Sequence, residues 1–308
     1  MDIELGEFYA RLGAVAIIIG LGFLLGKLKW ISHKTNGEVV NLLLMVFMPA
    51  ALFSAFPDTY SAESFNLFLA GLAGGALVLL TLIIVSRVVF NKWFYKGDIR
   101  FESQFAFIFN NATFLGFPIV ATTFGQVGLV PYAGFIIAFN IALFSYGVFL
   151  FERKLSWRTV RDTVLNPNII AVLLGMGVFL LNLKLPEVVS SSVGFVAGAM
   201  TPLSLICIGF MLSHAKFRAL IVKWRLFLTA FIQLTLGPSL TFFLLNALHF
   251  PVEVVVVCTL IQALPTATSL GLFAKKYGGN DIQASELVAI STLMSVVTLP
   301  VMIMLYMT

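Results

Sequence analysis

Apolar residues fall in long runs along this chain, separated by short polar stretches, with no sustained alternation of the kind a half-buried strand would show. A membrane-crossing helix needs about 20 mostly apolar residues. Ten runs of that kind start near Phe8, Val39, Phe65, Phe101, Gly128, Asn166, Ser192, Leu220, Glu253 and Ala284. The pattern predicts an all-α polytopic membrane protein of ten transmembrane helices with short loops and no separate soluble domain. A nine-span count with one re-entrant segment is the alternative.

Composition agrees. Of 308 residues, 60% are hydrophobic and 11% charged, against about 25% charged in soluble domains. A soluble chain could not bury so much Leu, Ile, Val and Phe and still present a polar surface; the lipid bilayer removes that demand. The acidic start, Met1 to Glu7, lacks the basic region of a signal peptide, so the first run is expected to stay in the mature protein.

The charges then orient the spans. Seventeen of the 19 Lys and Arg residues fall in one alternating set of loops. They are Lys27, Lys29 and Lys34; Arg87, Lys92, Lys96 and Arg100; Arg153, Lys154, Arg158 and Arg161; Lys216, Arg218, Lys223 and Arg225; and Lys275 and Lys276. The other set holds Arg11 and Lys184. The positive-inside rule therefore predicts a multi-pass protein with both termini extracytoplasmic. The net charge of +5 is spread over these loops and forms no single patch, which argues against a nucleic-acid partner.

The two halves match at one offset. Pro49 and Pro202, Thr113 and Thr266, Ala121 and Ala274, Phe124 and Tyr277, and Gly125 and Gly278 are each 153 residues apart. This predicts a repeat of residues 1–155 in residues 156–308. Five spans per repeat is an odd number, so the second copy is inverted, an arrangement typical of secondary transporters.

Spans 4 and 9 carry the candidate chemistry. Residues 110–118 read NNATFLGFP and residues 262–271 read QALPTATSLG. Proline removes a helix hydrogen bond and clashes with the preceding turn. Such segments predict broken helices around a protein-lined cavity, with half-helix N-termini offering N–H groups and partial positive charge. The candidate substrate ligands are Asn110, Asn111, Thr113, Pro118, Pro265, Thr266, Thr268 and Ser269, with Asn140 in span 5 beside them. Pro49, Pro202, Pro238 and Pro300 are read as simple kinks, and a lone Asn such as Asn140 is more often interhelical glue than a ligand. Glu102, Gln104 and Glu286 lie near span ends; intramembrane acids can be proton or ion sites, with simple exposure to water the alternative at these positions. Without a fixed charge at any span centre, an anion would be met by dipoles, amides and hydroxyls.

Other chemistries have no footing. Cys207 and Cys258 sit inside apolar runs, and the chain carries no metal-ligand spacing, no nucleophile elbow and no Walker sequence. No catalytic residue, metal or cofactor is expected. His33, His214 and His249 lie at span ends and read as solvated loop residues.

Residues 111–125, NATFLGFPIVATTFG, resemble the fourth-span motif of the auxin efflux carrier family, in which Asn precedes a Gly-apolar-Pro turn. Residues 263–278, ALPTATSLGLFAKKYG, resemble its ninth-span motif, and residues 291–300, STLMSVVTLP, also fit. Where the plant pattern has Pro before the Asn, this chain has Asn110. The chain has no long central loop and is similar to the compact prokaryotic type. The resemblance implies ten helices with helices 4 and 9 crossed, and a dimerising scaffold of spans 1, 2, 6 and 7. It further implies an elevator-like transport domain of spans 3–5 and 8–10, and small organic anions such as auxin, malate or malonate as substrates at the cell membrane. A channel, a proton- or sodium-coupled antiporter and a non-transporting membrane sensor are the rival functions.

Overall fold

The computed structural model describes residues 5–56, 59–91, 99–152, 161, 164–214 and 223–306, with side chains from Gly13 onward. The described chain is helical throughout, with no strand. In chain order the helices are α1 (Leu5–Lys27), α2 (His33–Phe53), α3 (Ala62–Val89), α4 (Ile99–Ile108) and α5 (Ala112–Glu152). They continue with α6 (Pro167–Leu180), α7 (Glu187–Ser213), α8 (Trp224–Ala247), α9 (Val252–Gln262), α10 (Leu270–Tyr277) and α11 (Asp281–Tyr306). Six of these, α2, α3, α5, α7, α8 and α11, are long and apolar enough to cross a membrane. Part of α1, α6 and α9 are shorter apolar helices. Of the basic loop residues, Lys92, Lys96, Arg153, Lys154, Arg158, Lys216 and Arg218 lie outside the described residues.

Large apolar side chains face outward along many of these helices: Ile84, Phe195 and Val297 are 65%, 83% and 69% exposed. Water would penalise such surfaces, whereas hydrocarbon does not. The polar groups turn inward instead: Asn110, Gln233, Gln262, Thr266 and Ser291 are all buried.

The chain forms two compact units. One comprises Met1–Leu72, Thr113–Ile137 and Leu165–Ala215; the other comprises Ala73–Ala112, Ala138–Val164 and Lys216–Thr308. In the first unit, two glycine crossings let helices approach closely. A Cβ on Gly22 of α1 would collide with Ile206 O, and one on Gly209 of α7 would collide with Ile19 O. Gly71 of α3 meets Pro131 O, and Gly134 of α5 meets Phe68 O, in the same reciprocal way. Small residues at a crossing allow backbones to touch, which is how helices associate where no hydrophobic drive exists between them. His33 opens α2 and His214 follows α7; both are exposed, as expected, but their rings pack 4.3 Å apart.

Helix α2 carries a widened turn at Leu43–Phe47, where the Met48 N–H reaches back five residues to Leu43 O. This turn comes just before Pro49. The wider turn absorbs the ring and the missing donor without breaking the helix. A second widened turn, Ala112–Gly116, precedes Pro118, whose carbonyl accepts the Thr122 hydroxyl at 2.7 Å. The 41-residue α5 turns sharply at Gly125, whose φ of 58° and ψ of −145° suit glycine almost alone. Gly278 closes α10 in the left-handed region at φ 86°, and the Gly279 N–H returns to Ala274 O at 2.7 Å.

In the second unit α8, α9 and α11 pack together, and α4 packs on α8 and α11. Ser103 and Thr229 share a buried hydrogen bond of 3.1 Å between α4 and α8. For Glu102, simple exposure to water is ruled out. It is fully buried, and its Oε1 accepts the Asn280 N–H at 2.7 Å in the turn that leads into α11. Gln104 is buried too, its amide donating to Phe90 O at 3.2 Å. Glu286 is held by Lys223 at 2.6 Å.

Candidate functional site

Two helical runs are interrupted in mid-course at residues of the second unit. Between α4 and α5, residues 109–111 leave the helix; between α9 and α10, residues 263–269 do so. The two interruptions pair as short antiparallel segments. Asn111 N–H donates to Pro265 O at 2.7 Å, Ala267 N–H donates to Phe109 O at 2.9 Å, and Asn110 lies opposite Thr266. Backbone groups released from a helix in an apolar surrounding must be satisfied elsewhere, and here each interruption satisfies the other.

Side chains complete the pairing. The Asn110 amide shares its two protons among Ile261 O (3.1 Å), Gln262 O (2.6 Å) and Gln262 Oε1 (2.9 Å). It thereby caps the exposed carbonyls at the C-terminal end of α9. Gln233 of α8 donates to Leu264 O at 2.8 Å and to Asn110 Oδ1 at 3.4 Å. Its own carbonyl accepts the Thr266 hydroxyl at 3.0 Å. Ser291 of α11 accepts the Thr266 N–H at 3.1 Å. The negative end of α9 is thus covered by amide donors.

The start of α10 is different. Ser269 stands at its N-cap position and makes no side-chain capping bond. Ser269 and Thr268 are half-buried, while Pro265, Thr266 and Ala267 are buried. The N-terminal, electropositive end of α10 therefore carries two hydroxyls with partial access to the outside of the fold.

The structure brings Asn110, Asn111, Pro265, Thr266, Thr268 and Ser269 together in the second unit. Asn140 is buried in the part of α5 that belongs to the same unit; its neighbour Phe139 packs edge-on against Phe109, with centroids 5.8 Å apart. Thr113, half-buried, and Pro118, buried, belong to the first unit. Gln233, Gln262 and Ser291 complete the network and were not among the sequence candidates. Gln233 had a signal: an amide in the middle of an apolar span is costly unless it has partners. Among the described residues no three His, Cys, Asp or Glu side chains converge as metal ligands would.

Comparison with known proteins bears on the same segments. The family described as Membrane transport protein matches residues 153–303, a stretch that includes α8 to α10 and most of α11. An "Uncharacterized transporter" of Methanothermobacter thermautotrophicus is 24% identical over 307 residues, covering 93% of this chain and 94% of that protein. The "Uncharacterized transporter YfdV" of Escherichia coli K12 is 24% identical over 314 residues, covering 96% of each. With its outward-facing apolar helices the chain is a multi-pass membrane protein, similar over its second half to the membrane transport protein family and over nearly its whole length to transporters.

Proposed function

We propose that this protein carries small organic anions by alternating access, with substrate held at the paired interruptions. The observation that supports the reading best is the main-chain pairing of residues 109–111 with 265–267, beside an uncapped helix start. Discontinuous helices whose N-termini face anionic groups are a recurring transporter design. In this reading Thr268, Ser269 and the positive N-terminal end of α10 receive a carboxylate, and the Asn111 side chain bounds the site. Asn110 and Gln233 hold the geometry. A carboxylate such as malate, malonate or an auxin-like acid, the substrates implied by the family resemblance, suits a site made of dipoles and hydroxyls.

The finer architecture belongs to the same proposal: ten spans in two inverted repeats, helices 4 and 9 crossing at the interruptions, and an elevator motion against a dimerising scaffold in the cell membrane. Two features support it. The 41 residues of α5 would extend about 60 Å as one rod, twice the hydrocarbon thickness, and the bend at Gly125 divides them. Gly125 and Gly278, one repeat apart in the sequence, both adopt positive φ.

The test is uptake by purified protein in liposomes, using radiolabelled malate, malonate and indole-3-acetate with and without proton or sodium gradients. Saturable uptake of one acid, lost in Asn111→Leu protein that still inserts and folds, is the expected result. Full uptake by Asn111→Leu would remove Asn111 from the site, and flux without saturation would favour a channel.

One observation favours ion coupling as a variant. Glu102 is a fully buried carboxylate bound to the Asn280 N–H, and buried acids inside membrane proteins commonly carry protons or ions. Under that variant, Glu102→Gln transports without responding to a gradient that drives the wild type.

A further inference from the structure

A second polar site lies in the same unit as the interruptions, apart from them. A cavity of about 390 Å³ is lined by Arg87, Arg100, Gln104, Tyr146 and Phe149, among others. Arg87 is in the last turn of α3 and Arg100 in the first turn of α4. The Arg87 Nε–H donates to the Tyr146 hydroxyl at 3.2 Å, and the guanidinium also stands 5.5 Å from the Tyr146 ring centroid. Arg100 is packed over Phe101 at 4.5 Å. Among the described residues, no carboxylate is recorded against either guanidinium. The Tyr146 oxygen accepts from Arg87, so its own proton is left to donate. Gln104 donates one amide hydrogen to Phe90 O.

The cavity therefore offers two guanidiniums and a phenol proton and, among the described residues, has no negative lining group, a donor set made for a phosphate-like anion. Its surroundings say which kind. Leu80 and Ile84, seven and three residues before Arg87 and so on its face of α3, are 59% and 65% exposed, and Phe149 on the cavity wall is 38% exposed. Arg87 thus stands at the end of an apolar, outward-facing stripe. A dissolved anion has no use for that stripe, whereas a lipid places its phosphate at the arginines and its chains along the helix. The basic end of α3 is also where anionic headgroups gather under the positive-inside orientation.

The geometry points to a binding site for the headgroup of an anionic phospholipid at Arg87, Arg100 and Tyr146. This site goes beyond the transport reading and does not rest on it.

The test is native mass spectrometry of full-length protein, delipidated in neutral detergent and titrated with phosphatidylglycerol, phosphatidylcholine or inorganic phosphate. Wild-type protein is expected to retain phosphatidylglycerol over phosphatidylcholine by roughly tenfold or more. The double variant Arg87→Gln/Arg100→Gln is expected to lose that preference. Lys275→Gln/Lys276→Gln removes the same charge from exposed positions outside the cavity and is expected to keep it. Equal retention of both lipids by the wild type would overturn the site, and that comparison needs no variant to fold. Equal loss in both double variants would reduce the effect to net charge and would also overturn it. Displacement of phosphatidylglycerol by inorganic phosphate would assign the cavity to a dissolved anion instead of a lipid.

Discussion

Asn110 uses its amide on three acceptors at the end of α9. Removing it takes the donor from the buried main-chain and side-chain carbonyls of Gln262, which costs about 1–3 kcal/mol. Asn110→Leu is therefore expected to unfold at lower denaturant or temperature in detergent, and Asn110→Asp to do the same, because a carboxylate cannot donate to those carbonyls. Gln233 and Thr266 share one hydrogen bond. A double-mutant cycle with Gln233→Leu and Thr266→Val is expected to return a coupling of about 0.6–1.7 kcal/mol; a coupling of zero would mean the bond contributes nothing in the folded state. The sequence marks Asn110 and Thr266 as polar residues in broken spans. It does not say that Asn110 serves α9, since that depends on a partner about 150 residues away in the chain. Gln233 was overlooked for a related reason: its span lacks the clustered amides and hydroxyls that drew attention to the other two.

At the scale of the helix, proline misled the reading of span 4 in one respect. The segment NNATFLGFP suggests an interruption governed by Pro118, yet the chain leaves the helix at residues 109–111 and Pro118 sits within α5. The widened turn Ala112–Gly116 accommodates the proline, and the break is made by pairing with the other segment. In span 9 the proline does lie in the break, where Pro265 supplies only the carbonyl that Asn111 needs. The glycine crossing of α1 and α7 was not legible, because spacing alone does not tell which glycines face a neighbour. Gly209→Val places methyl groups where Ile19 O already stands. It is expected to destabilise the first unit by about 1–3 kcal/mol, read as a lower melting temperature, whereas Gly198→Val, with open space around it, should change little.

For the molecule as a whole, the alternation of apolar and basic segments carried the membrane assignment. Hydrophobic periodicity alone does not give the compact units: each draws on both halves of the chain, because contact follows helix packing and not chain order. The orientation can be tested directly, since Cys207 and Cys258 are both buried. In intact cells a membrane-impermeant thiol reagent is expected to label Ser190→Cys, and to label Lys275→Cys only after permeabilisation. The opposite pattern would invert the topology.

The pairing of residues 109–111 with 265–267 has a consequence for the timing of motion. Non-helical backbone ordinarily trades its amide hydrogens with solvent within seconds, yet the Asn111 and Ala267 amides are each held across to the other segment in a buried setting. In deuterated buffer both should stay protonated about as long as amides in the middle of α8, although neither belongs to a regular helix. If they do, the two half-helix pairs shift as one welded piece during turnover, and the hinge must lie outside the binding region.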